Sequence, residues 1–159
     1  MFDDDDFYAP HYIADMLSLM QKSGAEFVKL FGFFLYHRRH DVFAYWDLEK
    51  NVDVHYSVDP NGVVPIPYRP SGGDNRLGFG FSYVFRRRVW ETARFPDEKN
   101  WNEDGEFANA AVARFKFDGM QDAKCSCLHV VHANNNSRSF PQHLLPRFLL
   151  PRLFPAFAT

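Results

Sequence analysis

The sequence has few cysteines, little net charge and no long apolar run, and each shortage excludes a class of protein. Its two cysteines, Cys125 and Cys127, lie too close in the chain to form an unstrained disulfide, so we interpret both as buried thiols rather than as a metal site. The formal net charge of −2 predicts no general attraction to nucleic acid. No apolar run reaches the roughly 20 residues that cross a bilayer, and no signal peptide is visible. We therefore expect a cytoplasmic protein if the chain is complete.

The composition is that of a globular protein of about one domain. Hydrophobic residues make up 46% of the 159 residues and charged residues 24%, so the chain can bury a core and is not disordered. We divide it into a folded domain over residues 1–140 and a tail, rich in Leu, Pro and Arg, over residues 141–159. Pro146, Pro151 and Pro155 exclude a regular helix in the tail. We expect the tail to pack on the domain, with partner docking or contact with a membrane surface as the alternatives.

An acidic stretch close to the beginning of the chain is its most distinctive feature. Four consecutive aspartates, Asp3 to Asp6, lie between aromatic residues. Two like charges about 4 Å apart repel by about 1 kcal/mol in water and by about 4 kcal/mol near a protein surface. Such a cluster stays hydrated or binds a cation, and hard divalent cations prefer carboxylate oxygens. The stretch therefore predicts a metal-binding turn, with a solvated acidic segment as the alternative.

The pattern after the aspartates predicts an α/β arrangement. Apolar residues recur at helical spacing from Tyr12 to Met20, and Gly24 is a plausible end for that helix. Residues 26–36 are almost continuously apolar and predict a buried strand. The acidic cluster then lies in a turn from strand to helix, where α/β sheets place ligand sites.

The middle of the chain predicts strands separated by an irregular loop. Residues 42–46 and 52–58 have the composition of strands, and residues 37–40 form a basic turn before them. Residues 59–75 are rich in Pro and Gly and predict a long irregular loop. Residues 78–85 predict a strand that begins with glycines, where a ligand or another backbone can approach closely.

Two candidate catalytic acids lie at the beginning of a later helix. Asn102 has the side chain of an N-cap, and acidic residues in the first turn of a helix are stabilised by its dipole. Glu103 and Asp104 lie at the two margins of the predicted apolar face, which includes Phe107. An acid at such a margin can reach a cleft and act as a general base. Helical periodicity does not choose between the two.

The order of these motifs resembles the catalytic half of a GT-A glycosyltransferase, and most closely the large inverting family 2. Residues 2–10 resemble its Asp-x-Asp motif and following helix, and residues 80–87 with Trp90 resemble the strand that lines its acceptor side. Residues 102–104 resemble its Glu-Asp motif. Residues 124–131 predict a strand, and His132, the next residue, resembles a late histidine of the family. The resemblance covers residues 2–137. It implies a mixed sheet flanked by helices in a Rossmann-like α/β fold.

The resemblance also implies roles for the aspartates. Asp3 matches the aspartate expected near the nucleotide ribose, and Asp4 is expected beside it on the cofactor. Asp5 matches the aspartate that binds the metal, either Mn²⁺ or Mg²⁺, and Asp6 is expected to share that metal. The cofactors are thus a divalent metal and a nucleotide-sugar donor, for which UDP-sugars are the commonest choice.

Two further roles follow from the resemblance. Asp104 matches the base that deprotonates the acceptor, which is a carbohydrate or another hydroxyl compound. His132 is expected to help hold the metal or the diphosphate, and His129 is the competing assignment. For His132, an ordinary hydrogen-bonded histidine is the alternative.

The sequence departs from the family pattern in one respect, and this departure suggests an alternative function. The family binds the nucleotide base with strands and helices that precede the Asp-x-Asp motif, and this chain begins at that motif, so we expect the N-terminal nucleotide-binding half to be lacking. The main alternative is accordingly a non-enzymatic remnant that acts as a binding module. A third hypothesis, a metal-dependent phosphoester hydrolase, lacks a nucleophile motif.

Overall fold

A computed structural model describes residues 2–50, 54–59, 62–67, 74–96, 103–132 and 139–157. The helices are α1 (Tyr12–Ser23), α2 (Arg87–Thr92), α3 (Glu103–Val112) and α4 (Leu150–Leu153). The strands are β1 (Phe7–Tyr8), β2 (Phe27–His37), β3 (Val42–Asp47), β4 (Val54–Asp59), β5 (Gly62–Pro67), β6 (Val84–Phe85), β7 (Phe117–Gln121), β8 (Cys127–Val131) and β9 (His143–Leu145).

The described strands form one mixed sheet around β2 and a separate two-stranded sheet. The large sheet has the order β1-β8-β2-β3-β9, and β6 and β7 pair with the first half of β2. β7 and β8 run parallel to β2, whereas β3 and β6 run antiparallel to it. The chain is therefore an α/β protein with a mixed sheet flanked by helices, as the sequence predicts at this level.

The sequence of β2 explains its central position. Every residue of β2 except Phe34 is buried, and the strand consists mainly of aromatic and aliphatic residues. A nearly continuous apolar run of this kind is typical of a strand that is covered on both faces. Met16 and Met20 of α1 pack with one part of β2, and Leu150 and Phe154 belong to a cluster with the other end of the strand.

Several predicted elements are confirmed. The helix after the aspartates ends at Ser23, and Gly24 adopts the left-handed conformation, with φ 68°, that glycine tolerates as a helix cap. The predicted buried strand is β2, and the strands predicted after it are β3 and the described part of β4. Asn102 lies outside the described residues, so its predicted role as an N-cap is untested.

The prediction of an irregular loop over residues 59–75 is wrong in part. Gly62–Pro67 is a strand that pairs antiparallel with β4, opposite Val54 to Asp59. Pro65 and Pro67 belong to this two-stranded sheet. Proline is acceptable on an edge strand because its missing N–H is not required by a neighbouring strand on that side. Residues 60, 61 and 68–73 lie outside the described part of the chain.

The prediction of a strand over residues 78–85 is also wrong for most of its length. Gly80–Ser82 forms a 3-10 turn, and only Val84–Phe85 pairs with β2. Phe79 precedes the turn with φ 66°, a conformation that is uncommon for a bulky residue and that redirects the chain. The segment is therefore a folded loop over the beginning of the sheet.

The C-terminal segment packs against the large sheet. β9 pairs with β3, and Leu150 and Phe154 are fully buried in the cluster that includes Tyr36 and Phe43. Within the described ranges, no helix is both long and apolar enough to cross a membrane.

Candidate functional site

Strand pairing brings the aspartates to the end of β8. β1 pairs antiparallel with β8, with Phe7 opposite Leu128. The residues before β1 therefore extend along the residues that follow Leu128, and the two histidines of that segment meet the acidic cluster. One carboxylate oxygen each from Asp3, Asp5 and Asp6 lies within 4.8 Å of the others, a spacing that a metal ion could bridge.

Asp6 is the buried anchor of this cluster. Its side chain is 0% exposed, and its carboxylate accepts a hydrogen bond of 2.7 Å from the Val130 N–H. The same carboxylate lies 3.0 Å from Nδ1 of His129, and the His129 ring stacks on Phe81 at a centroid separation of 4.6 Å. These contacts with Asp6 and Phe81 fix the His129 ring, and through Asp6 they hold the aspartate turn in position.

Asp5 and His132 form the more open half of the cluster. Nε2 of His132 lies 2.6 Å from Oδ2 of Asp5, and the two side chains are 35% and 33% exposed. A carboxylate and an imidazole nitrogen at this separation are both potential metal ligands. Of the two histidines that the sequence offers, His132 is the one beside Asp5, whereas His129 contacts Asp6.

Asp3 experiences the combined negative charge of the site. Its backbone N–H donates to the Tyr8 hydroxyl, which in turn donates to the carbonyl of Phe81. Burial raises the pKa of Asp3 to about 6, and the charges of Asp6, Asp104 and Asp5 add to the effect. The raised pKa of Asp3 thus reflects burial first and the neighbouring carboxylates second, and a bound divalent cation would favour the ionised form.

Replacing Asp3 by asparagine should stabilise the metal-free protein. The folded pKa of about 6 lies above the unfolded value of 3.8, so the favourable contribution of protonated Asp3 is present below pH 3.8 and is lost as the pH rises through 6. At pH 7 the ionised group is unfavourable, and we expect Asp3→Asn to raise the free energy of unfolding by about 1 kcal/mol, a value reduced for partial solvent exposure.

Urea denaturation at pH 7 and pH 4 measures this effect. The stabilisation should be present at pH 7 and shrink toward pH 4, where the wild-type carboxyl is protonated in the folded state. Asp4→Asn is the matched control, because Asp4 is exposed and should change little. A destabilised Asp3→Asn protein at pH 7 would contradict the electrostatic description of the cluster.

Asp104 reaches the same site from the beginning of α3. Its Oδ2 accepts a hydrogen bond of 2.8 Å from the Gly80 N–H. A Cβ added at Gly80 would collide with this carboxylate, so the approach requires glycine there. The pKa of Asp104 is raised, mainly by burial and also by the charge of Glu103. The hydrogen bond from the Gly80 N–H and the charge of Lys29 partly oppose this shift. The charge of Asp104 also raises the pKa of Asp3. The turn at Gly80 to Ser82 connects the two regions, because its Phe81 carbonyl accepts a hydrogen bond from the Tyr8 hydroxyl that contacts Asp3.

Lys29 is a buried cation that the sequence analysis did not single out. It is 0% exposed in β2, and its Nζ donates a hydrogen bond to the carbonyl of Gly78. The ammonium lies 5.5 Å from the ring centroid of Phe79 and 5.6 Å from that of Tyr83. Burial lowers the pKa of Lys29 to about 7, and Asp104 opposes this shift. A lysine inside an apolar strand is the signal that could have revealed it.

Lys29 makes the stability of the protein depend on pH. Its folded pKa of about 7 lies below the unfolded value of 10.5, so the unfolded chain binds a proton that the folded protein has released, and stability rises with pH in that window. Lys29→Met removes this contribution. Between pH 7 and pH 9 the wild type should therefore gain about 2 kcal/mol of unfolding free energy that Lys29→Met does not gain. The difference in stability, variant minus wild type, falls by that amount.

Urea titrations at the two pH values test this prediction. Lys22→Met is the control, because Lys22 is exposed at the end of α1, and its difference from wild type should stay constant with pH. A constant difference for Lys29→Met as well would show that Lys29 is not titrating in the folded protein.

The predicted site residues divide into two groups. The structure brings together Asp3, Asp5, Asp6 and His132, and it places Asp104 against Gly80, in the turn whose Phe81 carbonyl accepts a hydrogen bond from Tyr8. Asp4 is exposed beside the cluster, and the residues that follow His132 lie outside the described part of the chain. Comparisons with protein-family models, with curated proteins and with solved structures find no match.

Proposed function

We propose that the chain is the catalytic region of a metal-dependent, inverting glycosyltransferase of the GT-A fold, which uses a nucleotide-sugar donor. The proposal rests on two observations: Asp3, Asp5 and Asp6 form an acidic cluster, and the Asp104 carboxylate is held by the Gly80 N–H and raises the pKa of Asp3. Asp104 is far from the aspartates in the sequence and is partly buried. An acidic metal site beside a separate general base is what transfer to a hydroxyl acceptor requires.

The proposed metal ligands are Asp5 and His132, with Asp3 as a further oxygen donor. Their carboxylate and imidazole groups fit Mn²⁺, and the carboxylates fit Mg²⁺. A bound metal would act as a Lewis acid on the diphosphate leaving group. Asp6 is anchored to Val130 and His129, so its main role is to hold the aspartate turn in place. We also propose that Asp3, in addition to its contact with the metal, lies beside the nucleotide together with Asp4.

Asp104 is the proposed general base. The Gly80 N–H fixes one of its oxygens, which orients the carboxylate before an acceptor arrives. Its raised pKa increases its proton affinity, so it is a better base at neutral pH than an exposed aspartate. It takes the proton from the acceptor hydroxyl as the oxygen attacks the anomeric carbon, and a single displacement inverts the configuration there.

Turnover of donor is the experiment that tests this function. The protein is incubated with UDP-sugars, Mn²⁺ and a panel of sugar and alcohol acceptors, and released UDP is measured. We expect metal-dependent UDP release that chelation with EDTA abolishes. Metal-independent release would contradict the proposed role of the acidic cluster, and phosphate release from a simple phosphoester, lost in Asp5→Ala, would favour the hydrolase alternative.

One observation favours the non-enzymatic alternative. Asp5 and Asp6 are already paired with His132 and His129, so the turn can be stable without a metal. A binding module derived from a glycosyltransferase would keep such pairs while losing turnover. Binding of neither Mn²⁺ nor UDP by the folded chain would support this alternative.

A further inference from the structure

A basic and aromatic face lies at the end of the sheet next to the acidic site. It combines the turn between β2 and β3 with the segment around α4. The face, called here the basic aromatic face, consists of Arg38, Arg39, Arg147, Phe148, Arg152 and Phe157. The Arg38 N–H donates to the carbonyl of Val131, the residue before His132, so the face borders the candidate metal site.

Arginine–aromatic contacts join the two segments into one surface. The guanidinium of Arg38 lies 5.9 Å from the ring centroid of Phe157, and that of Arg147 lies 4.9 Å from the ring of Tyr36. Arg152 lies 5.3 Å from the ring of Phe148. These contacts hold the cations beside apolar groups, an arrangement in which both can meet the same partner.

The face is built on a buried support. Leu150 and Phe154 beneath it are 0% and 1% exposed, and the Phe154 ring contacts the rings of Phe7 and Phe34. Phe148, by contrast, is 59% exposed. Its exposed ring is apolar surface beside a cation, and a partner with both apolar and anionic groups could cover it.

The charge of the chain is unevenly distributed toward this face. After Asp122 the sequence contains no aspartate or glutamate, and two of the arginines in this stretch, Arg147 and Arg152, belong to the face. Among the described residues of the two segments, Asp41 is the one acidic side chain, and Arg147 pairs with it at 2.5 Å. The chain as a whole has a formal charge of −2, so the basic face is a local feature.

We propose that the basic aromatic face docks on a membrane surface that contains anionic phospholipids. Arginines bind the phosphate and carboxylate groups of the lipid headgroups, and each one near an anionic surface contributes about fivefold in binding. Phe148 enters the interface between headgroups and acyl chains, where aromatic side chains are favoured. The binding is peripheral and salt-sensitive, since the attraction is screened within about 8 Å at physiological ionic strength.

A soluble polyanion fits the observations less well. An exposed phenylalanine gains most from an apolar partner, which the boundary between headgroups and acyl chains supplies and a hydrated polyanion does not. An RNA oligonucleotide therefore serves as a competing ligand in the test.

Vesicle co-sedimentation of the full chain tests the proposal. We expect the protein to bind phosphatidylcholine vesicles with 30% phosphatidylserine and to bind pure phosphatidylcholine vesicles at least tenfold less. Raising the salt from 50 to 500 mM should release most of the protein. The double variant Arg38→Glu/Arg39→Glu should lose at least tenfold in binding, whereas Phe148→Ser should lose about threefold or more and keep the same salt dependence.

The matched control is Lys22→Glu/Arg114→Glu, which makes the same change in net charge at exposed positions on α1 and after α3. It should retain wild-type binding. Equal losses in the control, equal binding to neutral vesicles, or binding to the RNA without binding to vesicles would each overturn the proposal. Circular dichroism confirms folding, and if the double arginine variant does not fold, the Phe148→Ser variant and the lipid dependence of wild type decide the outcome.

Discussion

Replacing Asp104 by asparagine is expected to reduce sugar transfer about 1,000-fold while leaving donor binding nearly unchanged. The amide keeps the size of the side chain but cannot take a proton from the acceptor. Its oxygen can still accept the hydrogen bond from the Gly80 N–H, so the turn should keep its position. The measurement is the rate of transfer from a UDP-sugar at saturating Mn²⁺, together with the affinity for UDP.

Glu103→Gln is the matched control for this variant. Glu103 precedes Asp104 in the first turn of α3, and the sequence alone did not distinguish the two acids. Asp104 is the one that contacts Gly80 and acts on Asp3. We therefore expect at most a severalfold change in Glu103→Gln. Unchanged transfer by Asp104→Asn, or a larger loss in Glu103→Gln, would contradict the assignment of the base.

Replacing Asp5 by alanine is expected to weaken Mn²⁺ binding by a factor of about 100 or more, because even outer partners of metal ligands contribute 10- to 100-fold. The variant removes the carboxylate that lies 2.6 Å from His132 and leaves the buried anchor Asp6 in place. Electron paramagnetic resonance of free Mn²⁺ during titration measures the affinity.

Asp4→Ala controls for the loss of one negative charge from the same turn, and it should bind Mn²⁺ within a fewfold of wild type. Equal weakening in both variants would indicate that the turn attracts cations only by its net charge. A folded Asp5→Ala protein with wild-type affinity would remove Asp5 from the metal site.

Much of the fold was predictable because its main elements are locally encoded. The apolar run that became β2 and the helical spacing from Tyr12 to Met20 each specify a structure over a short stretch. The prolines of residues 62–67 were misleading for the same reason. Local rules treat them as breaks, whereas pairing with β4 accommodates Pro65 and Pro67 on an edge strand.

The sequence predicts candidate site residues but not the contacts between distant segments that surround them. Asp5, His132 and Asp104 were selected from their types and order in the chain. That His129 would hold Asp6, and that Gly80 would orient Asp104, depends on pairing between distant segments. The turn at residues 79–82 has the apolar composition of a strand, and only its long-range contacts fold it differently.

Two features of the site are unfavourable for stability. Asp3 and Lys29 each have pKa values shifted toward their neutral forms by burial, so their charges oppose folding at some pH. Residues that reduce stability at a shared site are characteristic of functional regions.

Calorimetric titration of UDP into the chain, with and without Mn²⁺, tests the central claim most directly. If the aspartate turn forms a diphosphate site, UDP should bind in the presence of Mn²⁺, bind at least tenfold more weakly after chelation with EDTA, and show no metal dependence in Asp5→Ala. Equal affinity with and without metal, or no binding by a folded wild-type chain, would contradict the proposal that this site handles a nucleotide-sugar donor.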